Sequence, residues 1–541
     1  MREEDNMVAI VYQKNKKTGV TYAYESISFW DKEKKQSRAK RKCIGKVDPV
    51  TNKIVPTRKR NPGTPKEKTG RGPVPITRIS RSFYGATYLF DEIVKSIGVA
   101  DDLKKCFPNR YKQLLSIAYY LILEDKNPLS RFPRWSAIHK HPSGKPIPSQ
   151  RSSEVFASIT EEEREHFFRL QGKRRAEREY WAYDTTSISS YSKCLNQVRY
   201  GFNKDHDPLE QINLAMLFGQ TSQLPFYYRK IAGHIPDVKT LKKLLVDINF
   251  MELNRIKLVM DRGFYSEDNI NAMYKSHLKF LIAARSSLKI VKEGIDSQRD
   301  SLKNWKHYSP MYDLYACSIP IQWAYSQARP YKGDVLKSTR RMVLHLYYSA
   351  ERALEREKKL NRLLHTLQME LESGKENPKH EKLYTTYFEV TRTPVRGRTV
   401  VAKEEAIAEI KKNYGYFALL SNDIKDPIEA LEIYRNKDLV EKAFGNLKER
   451  LNLRRLSVSS ERSLDGKLFV EFLALIILSY IKKKMQDTGL FKTTTMQELL
   501  DELDIIEGFE QPGHQLYAGE ITNRQLDLYK KLGVKPPHSL Q

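Results

Sequence analysis

The chain begins with alternating apolar and polar positions. In residues 8–30, apolar and aromatic side chains alternate with polar ones on both sides of the segment KNKKTG, which predicts a strand, a turn and a second strand. Two basic stretches follow, and the second, within residues 56–75, contains proline and glycine, as linkers do. We therefore predict a basic, β-rich region with a linker over residues 1–75. An exposed linker that contacts nothing is the alternative for the second basic stretch.

A helical pattern comes next. Between residues 82 and 170, apolar residues recur at intervals of three to four positions, which predicts amphipathic helices. Thr160 and Glu163 have the spacing of a capping box before one of these segments. We predict a helical domain over residues 76–175.

The pattern changes at residue 178. Three short apolar segments come first, in YWAYDTTSISS, INLAMLFG and LPFYYRKIAG, and alternating helix and strand patterns then run to residue 285. The alternation resumes with GYFALLSND at residues 415–423, and a long helix is predicted from about Pro427 to Leu451. Strands followed by alternating helices and strands predict a mixed α/β sheet, built from residues 176–285 and 401–465.

Residues 286–400 interrupt this sheet. They contain a predicted strand, MVLHLYYS, a charged helix near residues 350–373 and further strands, which indicates an insertion with β structure. Residues 466–541 are predicted to be helical. Their most apolar run, residues 468–481, is too short to span a bilayer and contains Glu471, so we interpret it as a buried core helix.

The charge of the chain narrows the choice of partners. Its 541 residues include 94 Lys and Arg against 66 Asp and Glu, a formal net charge of +28. Such a charge destabilises the compact state by self-repulsion, and a polyanion such as the phosphate backbone of a nucleic acid offsets it. A highly charged solvated surface is the alternative. The basic helical domain over residues 76–175 accordingly either binds duplex DNA or serves only to pack against the rest of the protein.

Composition excludes several classes of protein. With 40% hydrophobic residues the chain can build cores, so it is neither wholly disordered nor collagen-like. Its four cysteines are scattered without a CxxC pair, which argues against a structural zinc site or a disulfide framework and fits a reducing cytoplasm. The opening MREEDNM lacks the pattern of a signal peptide. No Walker loop, nucleophile elbow or HExxH motif occurs.

Two aspartates follow the apolar stretches of predicted strands. Asp184 comes after EYWAY and Asp261 after KLVM, and a carboxylate at the end of a buried strand is costly unless it is paired or holds a cation. On neighbouring strands of one sheet the two would converge. Glu441, in the predicted long helix, is a third acid. Either aspartate alone could equally cap a helix or a turn.

Three converging carboxylates suit a hard divalent cation. Mg²⁺ and Mn²⁺ prefer oxygen ligands and keep coordination sites for water and phosphate. Two such ions about 3.5–4 Å apart activate a water or a 3′-hydroxyl and stabilise the leaving oxygen of an in-line displacement. Tyr434, Lys437, Glu441 and Lys448 have the spacing of one helical face, so cationic and phenolic groups would accompany the acid. A solvated charged face is the alternative.

These segments together resemble the Tyr-Arg-Glu-Lys signature group of bacterial insertion-sequence transposases, in the insertion-sequence-four superfamily. YDTTS matches the segment of the first catalytic aspartate, Asp184; MDRGFYS matches the second, Asp261; and YRNKDLVEKAFGNLK matches the glutamate, Glu441. The signature arginine is Lys437 here, which keeps the charge but lacks the bidentate fork of a guanidinium. The resemblance covers about residues 176–455.

The resemblance implies a fold and an activity. Such proteins are DDE transposases, so the expected fold class is α/β: an RNase H-like mixed-sheet core with a β-containing insertion, plus N-terminal β and helical regions and a C-terminal helical region. They use Mg²⁺ (or Mn²⁺), in our interpretation two ions held by Asp184, Asp261 and Glu441, which are also the catalytic residues. They act as homodimers on double-stranded DNA, and they cut and rejoin transposon ends at inverted repeats.

The resemblance also implies contacts with DNA. Tyr434, Lys437 and Lys448 would position the DNA strand. Arg262, directly after the second aspartate, would contact phosphate or form a structural salt bridge.

Recognition of the transposon end would involve other parts of the chain. A flipped base would stack on Trp305 or Trp323, with core packing as the alternative for each tryptophan. Regions 1–75 and 76–175 would read the transposon end.

Two other functions stay open. An RNase H-like DNA endonuclease that cuts without strand transfer would carry the same three acids. A catalytically inactive, transposase-derived DNA-binding protein is the second alternative, although all three acids are present. We expect a cytoplasmic, bacterial protein that associates with the nucleoid when bound to DNA, with no membrane partner.

Overall fold

The structure is a computed structural model that describes residues 8–31, 34–57, 79–124, 127–174, 179–192, 194–253, 256–328, 333–393, 397–451, 455–456, 458, 460–511 and 514–539. The chain divides into two compact units, Met1–Ile76 and Thr77–Gln541. Within the described ranges, none of the helices combines the length and the apolar character that crossing a membrane requires.

The first unit contains a four-stranded antiparallel sheet. Its strands follow one another in chain order: β1 (Val8–Lys14), β2 (Thr21–Asp31), β3 (Gln36–Val47) and β4 (Ile54–Val55). The hairpin predicted for residues 8–30 is confirmed, since Lys14 pairs with Thr21 and the chain turns between them. Gly19 has a φ of 69° in this turn, a left-handed conformation that glycine adopts without strain.

The second unit opens with one strand and a group of helices: β5 (Ser80–Phe83), α1 (Gly85–Ser96), α2 (Val99–Cys106), α3 (Tyr111–Leu123), α4 (Phe132–Ser136), α5 (Ser149–Ala157) and α6 (Glu161–Lys173). The predicted capping box is confirmed at the start of α6, where Thr160 and Glu163 each accept a hydrogen bond from the other's backbone N–H. The apolar faces of these helices belong to the main hydrophobic core of the unit.

The first part of the α/β region contains the strands and helices β6 (Tyr180–Ser190), β7 (Gln211–Gly219), β8 (Pro225–Ala232), α7 (Asp237–Phe250), β9 (Lys257–Met260), α8 (Glu267–Lys275) and β10 (Lys279–Ala284). β6, β7 and β8 form an antiparallel meander. β9 runs parallel to β6, and β10 runs parallel to β9. The predicted mixed α/β sheet is confirmed over this segment.

The next segment contains α9 (Lys289–Leu302), β11 (Tyr308–Ser309), β12 (Leu314–Ala328), β13 (Val335–Tyr348), α10 (Ala350–Ser373), α11 (Glu381–Tyr387), β14 (Phe388–Thr393), β15 (Gly397–Ala402) and α12 (Glu404–Lys411). β11, β12 and β13 extend the large sheet, whereas α10, α11, α12, β14 and β15 pack around an apolar cluster of their own. The segment predicted to be an insertion thus contributes strands to the core sheet as well as a separate cluster.

The last segment contains β16 (Tyr416–Ser421), α13 (Pro427–Arg435), α14 (Asp438–Glu449), β17 (Arg455–Leu456), α15 (Glu461–Asp487), α16 (Met496–Asp504), β18 (Glu507–Glu510), β19 (Tyr517–Ala518) and α17 (Asn523–Lys531). β16 joins the sheet, whose order becomes β11-β12-β13-β16-β10-β9-β6-β7-β8, with β17 paired to β6. α15 is buried along most of its length, which confirms the interpretation of residues 468–481 as a core helix.

Three local predictions are wrong. Residues 466–541 are not all helical, because β18 pairs with β5 across most of the chain, a contact that no local pattern reveals. The helix predicted from about Pro427 to Leu451 is two helices, and neither proline nor glycine marks the break between α13 and α14. Asp184 lies within β6 rather than at its end, because β6 pairs with β7 as far as Ser189 and keeps the following polar residues in the sheet.

Candidate active site

Strand pairing places the two aspartates side by side. β6 and β9 are parallel neighbours, and Tyr183 pairs with Met260. Asp184 and Asp261 are the next residues on the two strands. The convergence that the sequence predicts for these two acids therefore follows from the register of one strand pair.

Asp184 is the more buried of the two aspartates. Its Oδ1 accepts a hydrogen bond from the Thr185 backbone N–H at 2.8 Å and lies 3.4 Å from Lys204 Nζ. Burial raises the pKa of Asp184, while the positive charges of Lys204 and Lys437 act in the opposite direction. The two lysines therefore offset part of the cost of placing a carboxylate inside the sheet.

Asp261 is more exposed and is held by hydrogen bonds. Its Oδ1 accepts from the Tyr434 hydroxyl at 2.8 Å and from the Arg262 backbone N–H at 2.8 Å. Burial alone would raise the pKa of Asp261, but these two hydrogen bonds and the charges of Lys437 and Arg262 lower it below its usual value. Burial and the nearby Asp261 raise the pKa of Tyr434 well above its usual range, so the phenol stays a hydrogen-bond donor.

Glu441 approaches the aspartates from a helix. It lies in the first turn of α14, and its side chain is 62% exposed. Its Oε1 lies 3.2 Å from Lys437 Nζ, and Lys437 is the N-cap residue of the same helix. The break between α13 and α14 therefore places Tyr434 and Lys437 on opposite sides of a helix junction.

Lys437 is paired with Glu441, and the charges of the two aspartates also act on it. Its side chain is only 5% exposed. Burial would lower the pKa of Lys437, but the negative charges of Asp184, Asp261 and Glu441 raise it above its usual value. A buried ammonium is thereby compensated by three carboxylates from two strands and one helix.

The donors of this cluster fit a divalent cation. All three acids offer carboxylate oxygens, which Mg²⁺ and Mn²⁺ prefer, and the Lys437 ammonium already shows that a positive charge is stabilised between them. Among the residues that the structure describes, no group of three or more His, Cys, Asp or Glu side chains is spaced to hold a metal ion. The shared metal site therefore stays a prediction.

Two further residues of the site were not predicted from the sequence. Lys204 Nζ lies 3.3 Å from Asp237 Oδ2 as well as close to Asp184, and it donates to the Thr185 carbonyl at 2.6 Å. Asp237 starts α7, and its other oxygen accepts from the Thr185 hydroxyl. The only sequence signal was Pro236 before an acid, which is typical of a helix start rather than of an active site.

Lys448 and Arg262 have different surroundings. Lys448 Nζ forms an ion pair with Asp205 Oδ2 at 2.6 Å, and its side chain is largely buried. Arg262 is exposed beside Asp261 at the start of a 3₁₀ turn. The predicted DNA contacts of both residues stay predictions.

The two tryptophans that were predicted to stack on a base differ in accessibility. Trp305 is 78% exposed in a short turn before β11. Trp323 is only 6% exposed, and its indole N–H donates to Asn271 Oδ1 at 2.9 Å. Trp305 therefore has the accessible ring that stacking requires, and Trp323 packs against α8.

Two aspartates on neighbouring strands of a mixed sheet and a glutamate on a later helix are the arrangement expected of transposases that use three acids. A family model described as a transposase DDE domain matches residues 176–477, more than half of the chain. The chain therefore belongs to the DDE transposase family. No curated protein matches it.

One solved structure to which the chain is similar is the cryo-EM structure of a piggyBac transposase synaptic complex with hairpin DNA. The two are 12% identical, and the match covers 77% of this chain and 70% of that one, with a TM-score of 0.33. A similarity at this level supports no conclusion about the fold or the function of this chain.

Proposed function

We propose that this protein is an insertion-sequence transposase of the Tyr-Arg-Glu-Lys group, which cleaves DNA at the inverted repeats of its element and joins the freed ends to target DNA. The observation that carries the proposal is the pairing of β6 with β9, which sets Asp184 beside Asp261, together with the contacts of Tyr434 with Asp261 and of Lys437 with Glu441. Acids placed together beside buried cationic groups are candidates for a functional site.

The sheet order supports an RNase H-like core. Strands β8-β7-β6-β9-β10 form an antiparallel meander followed by two parallel strands, with the two aspartates on the central neighbours β6 and β9. The third acid comes from α14, far along the chain. This order is the one expected of an RNase H-like core in which a later helix completes the site.

Asp184, Asp261 and Glu441 would hold Mg²⁺ or Mn²⁺, in our proposal two ions. Bound ions would supply a polarised phosphate and a more acidic attacking water or 3′-hydroxyl. Tyr434 orients the Asp261 carboxylate by its hydrogen bond and helps to keep it ionised. Lys437 neutralises part of the negative charge of the acids and would contact a phosphate once it leaves them.

We propose that the protein binds two transposon ends as a homodimer. Cationic side chains around the site would position the DNA. Arg262 is exposed next to Asp261, and the chain as a whole carries a net charge of +28. Trp305 offers an exposed ring for a flipped base, whose stacking would stabilise the bound end by about 1–3 kcal/mol. Lys448 would reach a phosphate only if its ion pair with Asp205 opens.

Strand transfer separates this proposal from its alternatives. Duplexes that carry the inverted repeats found beside the gene are supplied already cut, with a free 3′-hydroxyl, together with a supercoiled plasmid and Mg²⁺. We expect joined products from the wild type and from Glu449→Gln, a matched acid in α14 outside the site, and none from Asp184→Asn. A nuclease without strand transfer would cut uncut ends yet give no joined product, and an inactive DNA-binding protein would do neither.

A further inference from the structure

The distal ribbon, residues 321–328 of β12 paired with residues 335–342 of β13, projects beyond the large sheet. Within the described residues, β13 pairs with β16 only over Val343–Tyr348, and the rest of β13 pairs with β12 alone. At about 3.4 Å per residue the ribbon is on the order of 25 Å long. It is therefore a two-stranded element with free edges.

One face of the ribbon is fixed to the protein. Trp323 and Tyr325 are buried on this inner face, where Trp323 donates to Asn271 of α8 and the Arg340 guanidinium lies 5.0 Å from the Tyr325 ring centroid. The Tyr274 hydroxyl of α8 donates to the Arg341 backbone carbonyl at 2.8 Å. These contacts hold the ribbon rigidly enough to present its other face in one orientation.

The outer face carries polar donors. Gln322 pairs with Arg341, Ala324 with Thr339 and Ser326 with Lys337, so the members of each pair lie on the same face. Gln322, Thr339, Lys337 and Arg341 are exposed. In the part of the chain that the structure describes, neither Lys337 nor Arg341 forms an ion pair, so both cations are available.

Charge complementarity selects a polyanion as the occupant. The two strands of the distal ribbon contain three basic residues, Lys337, Arg340 and Arg341, and no acid. The major groove of B-DNA is about 12 Å wide and admits a two-stranded β-ribbon. Arg and Lys side chains there donate to guanine O6 and N7, and a glutamine amide pairs with adenine N6 and N7. The uncharged Gln322 beside Arg341 suits base edges better than phosphates.

We propose that the outer face of the distal ribbon reads base pairs in the major groove of duplex DNA, with Arg341 and Gln322 as the central readers. This proposal rests on the proposed function in that DNA is the partner. Strand register sets Arg341 level with Lys257 at the start of β9, whereas Asp261 follows the other end of that strand. The ribbon therefore leaves the sheet at the edge opposite to Asp261, and counted across and along the strands Arg341 lies on the order of 20 Å from Asp261. We expect the base pairs that the ribbon reads to be distinct from those at the cleaved bond.

The test selects duplexes from a pool with a randomised core, using the full chain. We expect the wild type to enrich a motif that contains guanine, and Arg341→Ala to lose the preference at one or two neighbouring base pairs. Affinity for the wild-type motif should fall about 5- to 100-fold, with a much smaller change for unrelated duplexes. Lys358→Ala removes an equally exposed cation from α10 and should leave the motif unchanged.

Two further measurements identify the contact. Arg341→Lys keeps the charge without the bidentate fork, so it should lose the base preference while retaining the affinity for unrelated duplexes. Replacing guanine by 7-deazaguanine in the selected motif removes the N7 acceptor of the major groove, which should weaken wild-type binding and leave Arg341→Ala unaffected. Both Arg341 variants should unfold at the wild-type temperature, since the side chain is exposed.

Four outcomes would overturn the proposal. An unchanged motif in Arg341→Ala would show that the ribbon does not read bases. Equal weakening on every duplex would show a phosphate contact only. These two outcomes would leave the proposed function intact. Wild-type binding without any enriched motif would contradict both base reading and the recognition of inverted repeats, and no DNA binding at all would also contradict both.

Discussion

The site contains four carboxylates, those of Asp184, Asp261, Glu441 and Asp237, against the three cations Lys437, Lys204 and Arg262, so it is negative even with its cations in place. The Lys437 amine is buried, and the charges of Asp184, Asp261 and Glu441 hold it protonated. Net negative charge at a site that is lined by carboxylate oxygens favours a divalent cation. We therefore expect the lysine to act as an internal counter-ion that competes with a metal for the acids.

Replacing Lys437 by methionine should lower the stability of the metal-free protein. The acids lose a compensating charge. We expect the free energy of unfolding to fall by about 1–3 kcal/mol, which is the cost of leaving buried polar groups unpaired. Added Mn²⁺ should raise the unfolding temperature of Lys437→Met by more than that of the wild type, because only Lys204, beside Asp184, is left to compete for the acids. Thermal unfolding with chelator and with Mn²⁺ measures both effects, with Lys442→Met, an exposed lysine of α14, as the control. Equal metal shifts in variant and wild type would contradict the role of Lys437.

Tyr434→Phe should destabilise the protein in a pH-dependent way. The hydroxyl stabilises ionised Asp261, whose pKa is depressed, so this contribution is present above the unfolded Asp pKa of about 3.9 and is lost as the pH falls through the lower folded pKa. At pH 7 and without metal we expect a loss of about 1–2 kcal/mol, shrinking below about pH 4. Tyr308→Phe removes an exposed tyrosine–aspartate hydrogen bond and serves as the control. A pH-independent difference would mean that the tyrosine only packs.

Lys448→Ala tests whether this lysine contacts DNA. A phosphate contact contributes about 0.9 to the slope of log affinity against log salt on duplex DNA, so we expect the variant to lower the slope by roughly one unit. Asp205→Asn breaks the ion pair but keeps the cation, and should leave the slope unchanged or steeper. An unaltered slope in Lys448→Ala, with a stability change of at most about 1 kcal/mol, would assign the lysine to the ion pair alone.

At the scale of elements, local patterns predict what local forces decide. The first hairpin, the capping box of α6 and the buried helix α15 were predictable because alternation, cap spacing and an apolar run act within a few residues. The pairing of β18 with β5 and the addition of β12 and β13 to the core sheet were not, since they depend on residues far apart in the chain.

In the candidate site, too, some residues could be predicted from local sequence and others could not. The three acids could be named from the sequence because acids after apolar stretches are costly and because the three motifs occur in a known order. Lys204 and Asp237 could not, since an isolated lysine and a helix-starting aspartate look like ordinary surface residues until the fold brings them to Asp184. The break between α13 and α14, just before Asp438, could not be predicted because no proline or glycine marks it.

α15 contains a buried acid whose protonation should set a pH limit on stability. Glu471 is fully buried, and burial raises its pKa to about 8, while Lys467 at 3.6 Å lowers it only in part. A raised folded pKa gives stability that is complete below the unfolded value of about 4.3 and is lost as the pH rises through about 8. Glu471→Gln should therefore gain stability relative to the wild type as the pH rises from about 4.3 to about 8, on the order of 1 kcal/mol per pH unit, and the gain should level off above about pH 8.

Denaturant unfolding at a series of pH values measures this gain. Glu449→Gln, an acid of α14, should follow the wild type throughout and serves as the control. A constant difference between Glu471→Gln and the wild type would show that Glu471 stays ionised inside the protein.

At the scale of the whole molecule, a strongly basic chain contains a small acidic site. The net charge of +28 favours association with DNA, whereas the three acids repel phosphate locally unless a cation is bound. Binding and catalysis should therefore respond differently to the loss of one acid. Asp184→Asn should bind element ends as tightly as the wild type or slightly more tightly.

Cleavage of an uncut element end in Mg²⁺ tests the assignment of the three acids most directly. The substrate is a duplex that joins the inverted repeat to its flanking DNA, and the full chain is compared with Asp184→Asn, Asp261→Asn, Glu441→Gln and the control Glu449→Gln. We predict that each of the three site variants loses cleavage while still binding the duplex, and that the control cleaves like the wild type. Cleavage at the wild-type rate by any one of the three would contradict a site built from Asp184, Asp261 and Glu441.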